Sequence, residues 1–147
     1  MTTITTIYKG DMSFETAMGE HRLVVDVPPS MGGKGRGPTA PQLFVASLGS
    51  CVAAFVATYC DATGLDTQDL SVDVSFEESE EAPASLIDLT VTINLPRADC
   101  GNREEAIRRV AEHCPVHETV EFTMKPIDFQ IRDRTRLAPA THTPAPQ

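Results

Sequence analysis

The twenty residues PQLFVASLGSCVAAFVATYC (41–60) contain no charged side chain and constrain the fold more than any other part of the chain. Thr39 precedes them with Gln42 three residues later, the spacing of a capping box. Gly64 suits the left-handed residue that closes a helix. A helix that is apolar on nearly every side needs cover on nearly every side, so the stretch predicts a long helix at the centre of a domain. It is also long enough to cross a bilayer, but Ser47, Gly49, Ser50 and Thr58 interrupt it and flanking aromatic and basic anchors are lacking. A core helix is expected, with no membrane partner.

The flanking segments read as strands and a second helix. Thr2–Lys9, Met12–Met18 and a stretch carrying Leu23, Val25 and Val27 are divided by Gly10 and Gly19 and closed by Pro28-Pro29. The Gly-rich loop SMGGKGRGPT (30–39) follows. After the long helix, Leu70, Val72, Val74 and Phe76 alternate, as do Ile87, Leu89, Val91, Ile93 and Leu95, which predicts an antiparallel hairpin across EESEEAPAS. Asn102 with Glu105 predicts another capped helix, with an apolar stripe of Ala106, Ile107, Val110 and Ala111. Cys114-Pro115 breaks it and starts a short third helix. A last strand would turn Ile127, Phe129 and Ile131 inward. The order is βββ-α-ββ-α(α)-β, an α+β domain over residues 1–136, with a Pro-rich tail over 137–147 that has little to bury.

A net charge of −9 argues against nucleic acid, which binds clustered Lys and Arg. The first residues, MTTITTIYKGDMSF, show no basic start followed by an apolar run, so a cytoplasmic location is expected. There the four cysteines, Cys51, Cys60, Cys100 and Cys114, would be kept reduced, and any disulfide would be transient.

Metal binding fits the cysteines poorly. Cys114 and His117 make a C-x-x-H beside His113, but Cys51 and Cys60 lie nine residues apart on one helix and face opposite ways. No metal or other cofactor is expected. ASLGSC lacks the G-x-S-x-G elbow of a serine hydrolase, and MGGKGRG lacks the phosphate-cradling pattern. Thiol chemistry remains. By local position Cys114, just before a helix start, should have the lower pKa. Cys51 reads as a packed core thiol unless a cation or a second sulfur stands beside it. Cys60 and Cys100 read as structural.

The blocks GPTAPQLFVASLGSC (37–51) and HCPVHET (113–119), in this order, resemble the osmotically inducible protein C and organic hydroperoxide resistance family (OsmC/Ohr). The resemblance covers about residues 8 to 134. It implies an intertwined homodimer with the long helices crossing its centre and sites at the subunit interface. It also implies a thiol peroxidase that reduces organic hydroperoxides, with Cys51 as the peroxidatic thiolate, Cys114 as the resolving thiol and a dithiol reductant as partner. Where the peroxidases of the family carry a Glu ten residues before the reactive cysteine, this chain has Pro41. The family's paired Arg is also missing from residues 8–20, which offer Lys9; Arg22 and Arg36 lie nearby in sequence. A relative without peroxidase activity, binding a small apolar ligand or a partner in the dimer cleft, is the alternative, and a disulfide-regulated interaction protein is a third reading.

Overall fold

Thr39 and Gln42 close both arms of the predicted capping box. The Thr39 backbone N–H donates to Gln42 Oε1 at 2.9 Å, and the Gln42 N–H donates to Thr39 Oγ1 at 3.4 Å. From there the long helix α1 runs over Ala40–Thr63 and ends at Gly64, whose φ of 72° needs the freedom of glycine. The computed structural model describes residues 1–123, 127 and 129–131. Before α1 come β1 (Thr5–Gly10), β2 (Ser13–Met18) and β3 (His21–Asp26). After it come β4 (Ser71–Glu78), β5 (Leu86–Asn94), α2 (Glu104–Glu112) and α3 (Pro115–Glu118), which runs on into a π turn over Thr119–Thr123.

β1, β2 and β3 form an antiparallel meander, and β4 and β5 a separate antiparallel hairpin. The first turn has two residues, Asp11 and Met12, both at positive φ, which matches the twist of the strands it joins. α1 packs on β4, α2 and α3. Its buried contacts fall at Leu48, Val52, Val56 and Cys60, every fourth residue, and they form one core with Ile107, Ala111 and Cys114. The hairpin supplies Val72, Val74, Leu89, Val91 and Ile93 to the same core. Each such aliphatic side chain, fully buried, contributes about 1.5–3 kcal/mol.

Several expectations change at this level. α1 is covered on one side only: Phe44 and Phe55 are exposed in the single chain, although the helix is apolar nearly all round. In β5 a bulge opposite Ser75–Glu77, with Asp88 at positive φ, breaks the alternation, so Ile87 turns outward while Leu89 packs inward. Asn102 does not cap α2. A 3-10 turn over Gly101–Arg103 leads into that helix, with the Arg103 N–H on the Cys100 carbonyl at 2.8 Å. The Arg103 guanidinium donates to the carbonyl of Thr63 at 2.9 Å, tying this turn to the end of α1. Ile127, Phe129 and Ile131, expected to point inward from a last strand, are exposed and outside any strand. Residues 124–126 and 128, where the rest of that strand was expected, and the tail 137–147 lie outside the described residues.

The Gly-rich loop is pinned by Asp26, the last residue of β3, which is fully buried. Asp26 Oδ1 accepts from the Val27 N–H at 2.8 Å; Oδ2 accepts from the backbone N–H groups of Lys34 and Arg36 and from Arg36 Nε at 2.7 Å. The Arg36 guanidinium and these backbone donors hold the Asp26 carboxyl far below the usual carboxylate range. Arg36 Nη2 also donates to the Asp11 carbonyl at 2.6 Å, and Lys34 Nζ pairs with the Asp11 carboxylate at 2.7 Å. A Cβ on Gly33 would collide with the Val27 carbonyl and the Asp26 carboxylate, so this glycine is required by close approach.

Two outcomes follow from this cradle. Asp26→Asn should expose the loop, and trypsin should cut after Lys34 and Arg36 several times faster than in the unsubstituted chain. Because the folded pKa is depressed, the carboxylate stabilises the fold fully above its ordinary value of about 3.9 and progressively less as pH falls below it. Denaturant titrations should show that acid-side loss in the wild type and its absence in Asp26→Asn.

Candidate active site

Cys51 and Cys114 reach one another because of where α1 and α3 cross. Cys51 precedes Val52 in the core stripe of α1, so it sits at the edge of that stripe and is half-buried. Cys114 is the residue that caps α3 and is fully buried. Pro115 fixes the first helical position without needing a hydrogen-bond partner for its nitrogen, and the cap residue Cys114 is extended, with φ −69° and ψ 138°. This turns its side chain back over the first turn, where Sγ accepts the backbone N–H of His117 at 3.3 Å. The Cys51 side chain packs against the core cluster that holds Cys114, near enough to act on its thiol. Both are free cysteines.

The electrostatics reverse the local expectation for Cys114. Burial is the largest influence and pushes its thiol pKa up; the His117 N–H opposes this, and the neighbouring Cys51 thiol adds to the rise. Helix-end stabilisation of a thiolate scales with the length of aligned backbone. α3 is one turn long, so desolvation prevails.

The cations near Cys51 in sequence are committed elsewhere. Arg36 is held by Asp26 and the Asp11 carbonyl, and Arg22 Nη1 donates to the carbonyls of Gly19 and His21. Pro41, at the position of the family's Glu, lies in the first turn of α1. His113 turns its Nδ1 to the Arg109 carbonyl at 2.6 Å, away from the C-x-x-H spacing. Cys60 is fully buried near the end of α1; burial first, then the proximity of Cys100 and Asp61, raises its pKa.

His117 was legible only as part of that C-x-x-H. In the structure its Nε2 lies 2.7 Å from Glu121 Oε2, four residues on. The spacing was present in the sequence, but α3 alone is too short for an i,i+4 pair, and the following π turn carries the chain far enough. A cavity of about 560 Å³ opens beside this pair between α2 and β5, with Val52, Ile93, Ile107, Ala111 and His117 among its walls.

Similarity to known proteins agrees with this arrangement. Residues 33–128 match the family described as OsmC-like protein, a span that includes both cysteines. No curated protein matches the chain. Among solved structures, a protein of Psychrobacter arcticus 273-4 described as an osmotic stress induced and detoxification response protein superposes with a TM-score of 0.73 at 19% identity, covering 84% of this chain and 90% of its own. An OsmC-like protein from Mycoplasma pneumoniae superposes at 0.65 with 22% identity, covering 82% and 86%. An organic hydroperoxide resistance protein OsmC from Legionella pneumophila does so at 0.61 with 21% identity, covering 84% and 90%. At these identities the superpositions speak for the fold. With the family match over most of its length, this chain belongs to the OsmC-like protein family.

Proposed function

We propose that this chain is a cysteine-dependent thiol peroxidase that reduces organic hydroperoxides to alcohols. The observation that carries the reading is the packing of Cys51 against the core that holds Cys114, the two thiols coming from elements far apart in sequence. Relatives named for organic hydroperoxide resistance support the substrate class. The Cys51 thiolate attacks the terminal peroxide oxygen, the O–O bond breaks, and an S–O bond forms to give a sulfenic acid and an alkoxide that is protonated to the alcohol. Cys114 then displaces the hydroxyl from Cys51 sulfur, forming the disulfide and water. A dithiol reductant, in a compartment that keeps thiols reduced, resets the pair by two exchange steps.

The working form is a homodimer. α1 leaves Phe44 and Phe55 exposed, and Ile7, Tyr8 and Val24 of the N-terminal sheet are exposed as well. That sheet packs mainly on itself within the chain. A second copy can cover these apolar surfaces, and a stable interface of this kind buries about 1,600 Å² or more.

Three observations favour a second reading, an OsmC-like protein without peroxidase activity that takes a small apolar ligand. Arg36 is spent on Asp26, Pro41 replaces the activating Glu, and a partly apolar cavity is at hand.

Consumption of cumene hydroperoxide with a dithiol separates the two readings. Cys51→Ser should fall to the uncatalysed background, and equal rates in wild type and variant would refute the peroxidase. Cys114→Ser should complete one turnover and then accumulate over-oxidised Cys51, seen by mass spectrometry. Light scattering should give twice the chain mass for the wild type, and Phe55→Glu should move it toward the monomer; a wild-type monomer at micromolar concentration would rule the dimer out.

A further inference from the structure

The segment that follows Cys114 is built from local bonds. α3 is one turn of four residues, and the π turn over Thr119–Thr123 packs mainly on α3 among the described residues. The Glu118 N–H donates to the Cys114 carbonyl at 3.0 Å, Thr119 Oγ1 donates to the Pro115 carbonyl at 2.7 Å, and His117 Nε2 faces Glu121 Oε2 at 2.7 Å. Fixing a first helical turn costs more than one hydrogen bond offsets, so a helix this short depends on its cap. That cap is a sulfur: Cys114 Sγ accepts the His117 N–H at 3.3 Å. The closed segment also carries a cost, because His117 Nδ1 is buried with no hydrogen-bond partner among the described residues, which is unfavourable in either tautomer.

The sulfur that caps α3 is thus the sulfur expected to bond to Cys51. Both cysteines are free, so their sulfurs stand at non-bonded distance. A disulfide brings the two atoms to about 2.04 Å and holds the Cβ–S–S–Cβ dihedral near 90°. The movement falls on the softer side. α1 has 24 residues and carries the core stripe, while α3 has one turn. Once bonded, the Cys114 sulfur is positioned by Cys51 and no longer by the His117 N–H, and sulfur is a weak acceptor even when well placed. The cap bond is the one that yields. Cys114 is also fully buried in the reduced fold, so a dithiol from solvent has no path to its sulfur while α3 is closed.

We propose that residues 115–123 form a redox-operated lid: bonding of Cys114 to Cys51 withdraws the cap from α3, the segment opens, and a dithiol reductant reaches the disulfide through it. The inference rests on the reading of Cys51 and Cys114 as a working thiol pair. In the closing step the S–S bond forms, the S–O bond of the Cys51 sulfenic acid breaks, and the Cys114 thiol proton leaves with the hydroxide as water. The oxidant is the hydroperoxide already consumed at Cys51. In the return step a thiolate of the dithiol attacks the exposed Cys114 sulfur, and Cys51 departs as thiolate. The second thiol of the reductant then closes its own disulfide and frees the Cys114 thiol, which caps α3 again. Opening lets His117 Nδ1 meet water, which narrows the gap between closed and open forms. Short segments with few tertiary contacts are where such local opening occurs.

The lid can be read without peroxide. In the full chain with Cys100→Ser, diamide should close the Cys51–Cys114 bond, checked by mass spectrometry as the loss of two hydrogens and by the linked peptides. Amide hydrogen exchange over 115–123 should then quicken about fivefold, the scale of a lost helix cap, while α1 stays as protected as before. A glutamate-specific protease should cut after Glu118 and Glu121 correspondingly faster, and a dithiol should restore both readouts. Serine is a preferred helix cap and forms no disulfide, so Cys114→Ser should stay protected before and after diamide. Cys51→Ser, which leaves the cap cysteine in place, should do the same and carries the control if Cys114→Ser does not fold. A closed disulfide with unchanged or slower exchange over 115–123 would overturn the lid. Failure of diamide to join Cys51 and Cys114 would remove the thiol pair and the lid together. Opening on oxidation in a wild type that consumes no hydroperoxide would refute the peroxidase and leave this inference standing.

Discussion

The structure depends on a stripe of side chains four residues apart on α1. Leu48, Val52, Val56 and Cys60 lie along one side of the helix and gather β4, β5, α2 and α3 against it. A spacing of four drifts only slowly around a helix of 3.6 residues per turn, so one stripe can serve as floor for several elements at once. Cys51 flanks this stripe directly beside Val52. Its position opposite α3 is therefore set by core packing and does not rely on any loop.

Burial has opposite consequences for the two thiols. Packing that brings Cys114 to Cys51 also removes Cys114 from water and raises its pKa. A buried thiol is a poor nucleophile until something takes its proton. The same one-turn helix that fails to stabilise a thiolate places His117 beside it, and the π turn that follows brings Glu121 under the ring.

The N-terminal sheet obeys a different logic. It is held to the rest of the chain through a polar cradle around Asp26 and not by a shared apolar core. Arg36 serves that cradle, so a residue that sequence proximity made a candidate partner for Cys51 is employed in shaping a loop. Its exposed Ile7, Tyr8 and Val24, with the uncovered Phe44 and Phe55 of α1, form the apolar surface that a single copy leaves open.

Local signals were legible wherever a few neighbouring residues decide the outcome. The Thr39–Gln42 capping box, the Gly64 stop, the alternation of Val72 and Val74, and the Cys-Pro start of α3 are all short-range effects, and all appear as read. Where two segments compete or meet, sequence did not suffice. The bulge that turns Ile87 outward depends on strand register, and the uncapped start of α2 depends on Arg103 reaching Thr63. The sign of the Cys114 pKa shift followed the same rule, because desolvation is a property of everything packed around a group, while the helix-end effect is a property of the segment alone. By itself the sequence determined the central helix, the hairpin and the pair of cysteines. Only the tertiary structure decided that Cys51 packs beside Cys114, that Arg36 is held away by Asp26 and that Cys114 is fully buried, since each of these depends on contacts between residues that the chain alone keeps far apart.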